Sequence, residues 1–453
     1  GHALQQLRGR LTGTLIEAQD PSYNEARAVW NGMIDLRPRA IVRAGSVADI
    51  DPVLQIARGT GLPLAVRGGG HNIAGYGTVA DGIVLDLGPL KRVEVDTGSQ
   101  LVTVEPGATL ADVDRATSEH GLAVPLGVIS GTGVAGLTLG GGIGWLTRTA
   151  GLSLDNLVAA DLVTATGEHL HATEEEHPEL FWGLRGGGGN FGVVSSFTFR
   201  ALRMPATVLG ANLFYRPQNW RSALLAFDQW SRDIPDEMNS IVSFLVLPPE
   251  FEMGDDPWMV VGCNWVGDDQ AAGLDHLDRL REAAPPDGQE VRPVAWVDWQ
   301  SAMDVIFPKG ARGYWKNVSF SRLDDEVVDV LVGFASEVTW FGTGIDIHHM
   351  GGAFGRVPED ATAFPYRSAR FWMNVYGFWR DPAEDERLTA FARDVHALMQ
   401  PFAEHGEYLN FLGAEPGHEV TSATRRAYGA EKHQRLVSLK DRYDPHNLFR
   451  LNH

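Results

Sequence analysis

The chain has 453 residues, 44% hydrophobic and 21% charged, enough for two or three domains with sizeable cores. Its 58 acidic against 38 basic residues give a formal charge of −20, which argues against a nucleic-acid or acidic-membrane partner. A single cysteine, Cys263, excludes an internal disulfide, and no apolar run is long enough to span a bilayer. With no signal-peptide pattern near residue 1, the expected compartment is the cytoplasm, as a monomer or homodimer.

From residue 39 to 199, short apolar strands alternate with turns and short helices. Ala40 to Arg43 reads as a strand, and Ser46 is placed to cap a helix reaching Ala57, ended by Gly59 and Gly61. Leu64 to Arg67 is a second strand, feeding the turn Gly68-Gly69-Gly70-His71-Asn72. Further strands are expected at 82–87, 101–105, 159–165 and 192–199, with a helix over 110–120. Beyond Pro205 the texture changes to longer strands at 207–216, 240–247, 258–266, 313–321, 344–354 and 370–379. Amphipathic helices at 219–233, 269–283, 325–339 and 383–402 alternate with them. This predicts an antiparallel sheet backed by helices on one face, the other face being left for a ligand. A last module carries a helix over 420–443, stopped by Asp444-Pro445 and expected to return to the first domain. The fold class is α+β, with domains at 1–204, 205–403 and 404–453.

Fifty-two glycines are high for this length, and they cluster. The segment from Arg67 to Asn72 exposes several backbone N–H groups, as anion-binding nests do, with one imidazole among them. The alternative for so short a motif is a Gly-rich turn with one hydrogen-bonded histidine. A second cluster runs from Gly127 to Gly144, too irregular for a dinucleotide fingerprint and lacking the lysine of a Walker loop. Two such clusters about sixty residues apart point to one large flat ligand lined by main-chain donors.

The pairing of RGGGHNIAGYG with PLGVISGTGVAGLTLGGGIGWL, followed by Glu179 to Val194 and the tail Tyr443-Asp444-Pro445-His446-Asn447-Leu448, resembles the FAD-linked oxidases of the vanillyl-alcohol oxidase superfamily. Within that superfamily the chain is most similar to the bacterial branch of the berberine-bridge-enzyme-like group, over nearly its whole length. The resemblance implies a two-domain PCMH-type FAD-binding fold and a flavoenzyme moving a hydride from a C–H bond of a small organic or secondary metabolite to FAD, with O2 returning the flavin to its oxidised state and yielding H2O2. It also implies that Arg67, Gly68, Gly69, Gly70 and Asn72 surround the pyrophosphate and that His71 is bonded to the flavin. Gly127, Val128, Gly131, Thr132, Gly133, Leu137, Gly141, Gly144 and Asn156 would line the cofactor, with Val194 near the adenine and Asn452 near the isoalloxazine. Many plant members carry a second link through cysteine, where this chain has Ile129; one link, through His71, is therefore expected. Thr132 stands where oxidases often have valine, which leaves a flavin-dependent dehydrogenase or an oxygenating or cyclising enzyme open. A flavin carrier without turnover is a further alternative.

Tyr408, in a Tyr-x-Asn segment that matches the family, is the implied base, with Asn410 orienting groups beside it. Period-two alternation puts Asp346, His348 and Met350 on one strand face, a carboxylate and an imidazole suited to acid/base work or substrate anchoring, and His349 on the other, so that the opposed His348 and His349 do not suit a metal site. Asn374, Tyr376 and Phe378 on the next strand, with Trp315 and Asn317, are further pocket candidates.

Overall fold

A computed structural model describes residues 2–413 and 420–453. Near the start of the chain a four-stranded sheet runs in the order Thr14–Ile16, Ala40–Arg43, Ile83–Asp86, Leu64–Arg67, the last three mutually parallel. A five-stranded antiparallel sheet follows, ordered Val93–Asp96, Leu101–Val104, Val193–Arg200, Leu157–Val163, His169–Ala172. The largest sheet has seven antiparallel strands in the order Gly288–Val294, Val208–Tyr215, Trp258–Trp265, Met238–Leu245, Thr343–His349, Phe371–Trp379 and Arg312–Phe320. Every residue of four of its central strands is buried, so both faces are covered.

Helices Pro217–Ser231, Gln270–Ala283, Asp325–Ala335 and Asp385–Met399 cover one face, burying Trp220, Phe227, Leu277, Leu331 and Val395 against Phe244, Met259 and Ile347. Asp269 and Asp324 cap two of them by accepting from backbone N–H groups in the first turn. The opposite face meets the first half of the chain. There Arg148, buried at 6% exposure, donates to the carbonyls of Met238, Ile234 and Met350. Four elements depart from the sequence expectations. Ser46 makes no cap bond; instead the buried Asp49 carboxylate accepts from the N–H groups of Thr12, Gly13 and Gly45. The strand expected to 354 ends at His349, because Gly351 and Gly352 take φ of 90° and 54° and open the short helix Gly352–Arg356. The expected single helix over 420–443 is two, broken at Gly429 (φ 77°). The strand Gly288–Val294 escaped notice because it is an edge with mostly exposed, polar positions.

The second of the two final helices, Ala430–Tyr443, packs Leu436 and Leu439 into a core with Leu180, Phe181 and Phe197. Asp444, 1% exposed, then accepts from Lys440 Nζ and from the N–H groups of Leu448 and Phe449, which turns the chain back. Phe449 enters the core of the four-stranded sheet, and Asn452 and His453 reach Gly189 and Asn190.

Candidate active site

The strand Leu64–Arg67 delivers the chain to the first glycine cluster. A Cβ on Gly69 would lie 2.4 Å from Gly133 N, and one on Gly133 would lie 2.4 Å from Gly69 N. The two clusters therefore touch backbone to backbone, which only glycine allows on both sides. Gly70, at φ 69°, turns the cradle so that His71 follows. In the cleft wall, Arg67 pairs its buried guanidinium through Nη2 with Asp86 at 3.1 Å and with Ala26 O, and its Nη1 is buried without a partner.

His71 stacks on Trp30, ring centroids 4.4 Å apart. Burial lowers its pKa to about 4, so the imidazole is neutral and its lone pair available at neutral pH. Its Nε2 is buried without a hydrogen-bond partner. Facing it across a cavity of about 220 Å³ are Trp315, Phe307, Asp346, His348 and Asn374, with Tyr408, Asn410 and Phe411 closing one side. A narrower chamber of about 170 Å³ continues between Leu64, Leu87, Gly189, Val194 and Phe449. Both chambers share Gly68, Asn72, Gly136 and Asn452, so they form one cleft.

Tyr408 is 1% exposed, and its hydroxyl oxygen accepts from Gly142 N–H (2.9 Å), Ile143 N–H (3.4 Å) and Asn410 Nδ2 (2.8 Å). Burial raises the phenol pKa, while the three donors pull it down by favouring the phenolate. Asn410 is itself held by Leu137 O, and Asn317 clamps the Tyr408 backbone through both its N–H and its carbonyl. Asn317 is thus a positioning residue behind the cleft and does not line it.

Ser243, Asp346, Asn374 and Asn317 are register partners across four adjacent strands, a polar row on the cleft-facing side of the sheet. His348 lies in the same cleft wall, whereas His349 turns to the helix-covered face beside Phe227. Burial raises Asp346 to about 7 against the opposing pull of Ser243 and Tyr376, though the Tyr376 hydroxyl has no well-aligned partner. His348 is lowered to about 4 by burial. A carboxyl raised this far stabilises the fold fully below about pH 4, and that contribution is lost as pH rises through about 7, a span of a few kcal/mol. Asp346→Asn is expected to remove this dependence, so its melting temperature gains on the parent at pH 8 relative to pH 5. Equal gains at both pH values would contradict the raised carboxyl.

Gly141, Gly144 and Asn156 do not line this cleft. Gly131 borders an adjoining polar cavity with Thr109 and Lys91, which shares Arg67, Gly68, Gly69 and Gly70 with the wider chamber. Gly141 leaves room for Tyr408, and Gly144 for Leu126 O, which a Cβ would approach to 1.8 Å. Asn156 donates to Ala150 O and Leu152 O. A glycine needed for close protein packing reads in sequence like one needed for a ligand. Gly144→Ala is accordingly expected to cost at least ~3 kcal/mol of stability, measured by denaturant unfolding. Sequence reasoning missed Trp30, Phe307 and Gly136. A periodic glycine pattern could have suggested the last; isolated aromatics in irregular segments carry no such signal.

The cleft fits FAD. A Cβ on Gly136 would meet nothing within 4 Å and would project into the junction of the chambers, where a ligand belongs. The orphaned Nε2 of His71 lies in the wall of the wider chamber, and the narrow one, walled by Leu64, Leu87, Val194 and Phe449 with Asn190 and Asn452 beside them, suits a flat base that needs a few hydrogen bonds. Among the described residues no cluster could hold a metal ion, and no helix is long and apolar enough to cross a membrane.

Residues 38–173 match the FAD binding domain family, and residues 407–453 match the berberine and berberine-like family. The chain is an FAD-linked oxidoreductase that carries an FAD binding domain and a berberine-like C-terminal segment. The (R)-6-hydroxynicotine oxidase of Paenarthrobacter nicotinovorans is 29% identical over 98% of this chain and 96% of its own. The crystal structure of 6-hydroxy-D-nicotine oxidase from Arthrobacter nicotinovorans superposes with a TM-score of 0.86 at 25% identity, covering 98% of this chain and 97% of that one. Glucooligosaccharide oxidase from Acremonium strictum, whose FAD is 6-S-cysteinyl and 8α-N1-histidyl, shares the fold at TM-score 0.86 and 22% identity, over 99% of this chain and 98% of that one. The FAD-linked oxidoreductase described here thus has the two-domain α+β architecture of these oxidases and takes FAD as its cofactor.

Proposed function

We propose that this FAD-linked oxidoreductase is an oxidase of a small organic metabolite, with FAD held by one covalent bond to His71 and O2 as the final electron acceptor. The arrangement of Tyr408 carries this reading: a buried phenol, oriented by three N–H donors, on the cleft wall together with His71. Bound FAD supplies the two-electron acceptor. Tyr408, as the phenolate that its three N–H donors favour, takes the proton from the O–H or N–H next to the carbon being oxidised and becomes the neutral phenol. Asp346 and His348, both uncharged between about pH 4 and 7, anchor the substrate from the sheet side by hydrogen bonds. Ile129 lines the cleft where a thioether-forming cysteine would be needed, so the second link is absent. Residues 1–204 and 404–453 then form the cofactor-binding part and 205–403 the substrate-binding part.

A nicotine-like amine and an oligosaccharide are the two substrate types suggested by the relatives. Screening both classes for peroxide release under air, and for reduction of an artificial dye without oxygen, tests the reading. Dye reduction without peroxide would make the protein a dehydrogenase and assign to the Thr132 hydroxyl the exclusion of oxygen.

A further inference from the structure

An irregular segment, Trp30-Asn31-Gly32, neither helix nor strand, lies against His71. The buried Trp30 indole stacks on the imidazole with only 24° between the two planes. Trp30 does not line the flavin cleft; it borders the adjoining polar cavity, so the indole backs the imidazole from that side. Its main chain is fixed in both directions: Trp30 N–H donates to Gly70 O at 2.9 Å, and Trp30 O accepts from Gly310 N–H at 3.0 Å. Asn31, also buried, donates from Nδ2 to Ile73 O and Gly313 O and accepts from Gly313 N–H. Gly32 N–H reaches Ala311 O, and a Cβ there would come within 2.1 Å of Gly310 O. The segment is therefore a strap, tied to Gly70 and Ile73 on either side of His71 and to the start of the strand Arg312–Phe320. Buried irregular backbone is costly unless its polar groups are paired. Here the pairing fixes one aromatic ring against one histidine.

We propose that Trp30 is a positioning residue for the attachment of FAD: its stacked face holds the His71 imidazole in the plane from which a ring nitrogen reaches the 8α carbon of the flavin. The inference rests on the proposed attachment to His71. That attachment forms one N–C bond and breaks one C–H bond of the 8α methyl group and one imidazole N–H bond. Both hydrogens and an electron pair pass to the flavin, which is left reduced by two electrons. O2 then takes them up as H2O2, and the chain has gained FAD less two hydrogens. As the N–C bond forms, the imidazole acquires positive charge, and an indole π face beside it stabilises that charge. Stacking also stops the ring from turning, and misplacing a reacting atom by about 1 Å costs about 10²-fold in rate. A non-aromatic side chain of similar reach fills the space behind His71 but does neither.

The test uses full-length parent, Trp30→Phe, Trp30→Leu and Trp30→Met chains, purified from riboflavin-starved cells and then mixed with FAD. Intact mass follows covalent incorporation, quenching of flavin fluorescence follows binding, and the melting temperature reports folding. The Leu and Met variants are expected to bind FAD with the parent's affinity yet attach it about 10²-fold more slowly. Trp30→Phe, which restores an aromatic face, is expected to attach it within about tenfold of the parent. Attachment at the parent's rate in a folded Leu or Met variant, or a Phe variant as slow as those two, would overturn the proposal and leave the His71 link standing. Loss of FAD binding in all three variants would overturn it as well, because Trp30 would then shape the site and not aim the histidine. A parent chain that gains no mass from FAD removes the attachment itself, a failure distinct from equal rates in parent and variants.

Discussion

Replacing His71 by Ala is expected to leave the polypeptide at the mass of its amino acids, whereas the parent chain carries the added mass of one FAD. After acid denaturation and filtration the variant should release all its yellow colour and the parent none. The geometry makes this the largest single effect. His71 is the histidine of the glycine cradle, stacked on Trp30 with Nε2 unpartnered. Its burial keeps the imidazole neutral, the nucleophilic form, down to about pH 4. No cysteine is near enough to take over, since Cys263 is buried in the strand Trp258–Trp265 and packs in the core on the helix-covered face. If the parent chain has only its polypeptide mass, or if the variant retains a covalent flavin, His71 is not the attachment point.

Tyr408→Phe should lower the rate of flavin reduction by about 10²–10⁴-fold, the usual worth of a positioned base. The flavin spectrum should change little, because the ring packs against Phe364, Trp372 and Phe411 through its carbon atoms. The three N–H groups that lose their acceptor set the structural cost at ~1–3 kcal/mol. Stopped-flow reduction with a confirmed substrate measures the effect. A rate within a factor of a few of the parent would remove Tyr408 from the chemistry and leave its hydroxyl a packing element.

Much of this was readable from residues alone, and for definite reasons. The long strands and helices after residue 205 have strong periodicity, so their existence was plain and only their ends shifted. The two glycine clusters announced a shared ligand because each is unusual for a folded segment, and the Gly69–Gly133 contact is the physical reason they occur together. Asp346 and His348 could be put on one face by alternation, yet alternation could not say that Ser243, Asn374 and Asn317 would fall in the same row, since register is a long-range property. The Arg67–Asp86 pair was not readable because Asp86 belongs to the adjacent parallel strand, nineteen residues on. Gly141, Gly144 and Asn156 were misjudged because the atoms that crowd or bind them are protein atoms, which composition does not distinguish from ligand.

The cleft takes residues from Leu64 and Arg67 near one end of the chain and from Asn410, Phe449 and Asn452 near the other. During synthesis the earlier portion emerges well before the portion that closes the narrow chamber. Capture of FAD therefore has to wait until residues 404–453 have emerged, and the proposed attachment to His71 becomes a late maturation event. Cells short of riboflavin should accumulate full-length, colourless precursor that turns yellow when FAD is supplied afterwards, with no new translation.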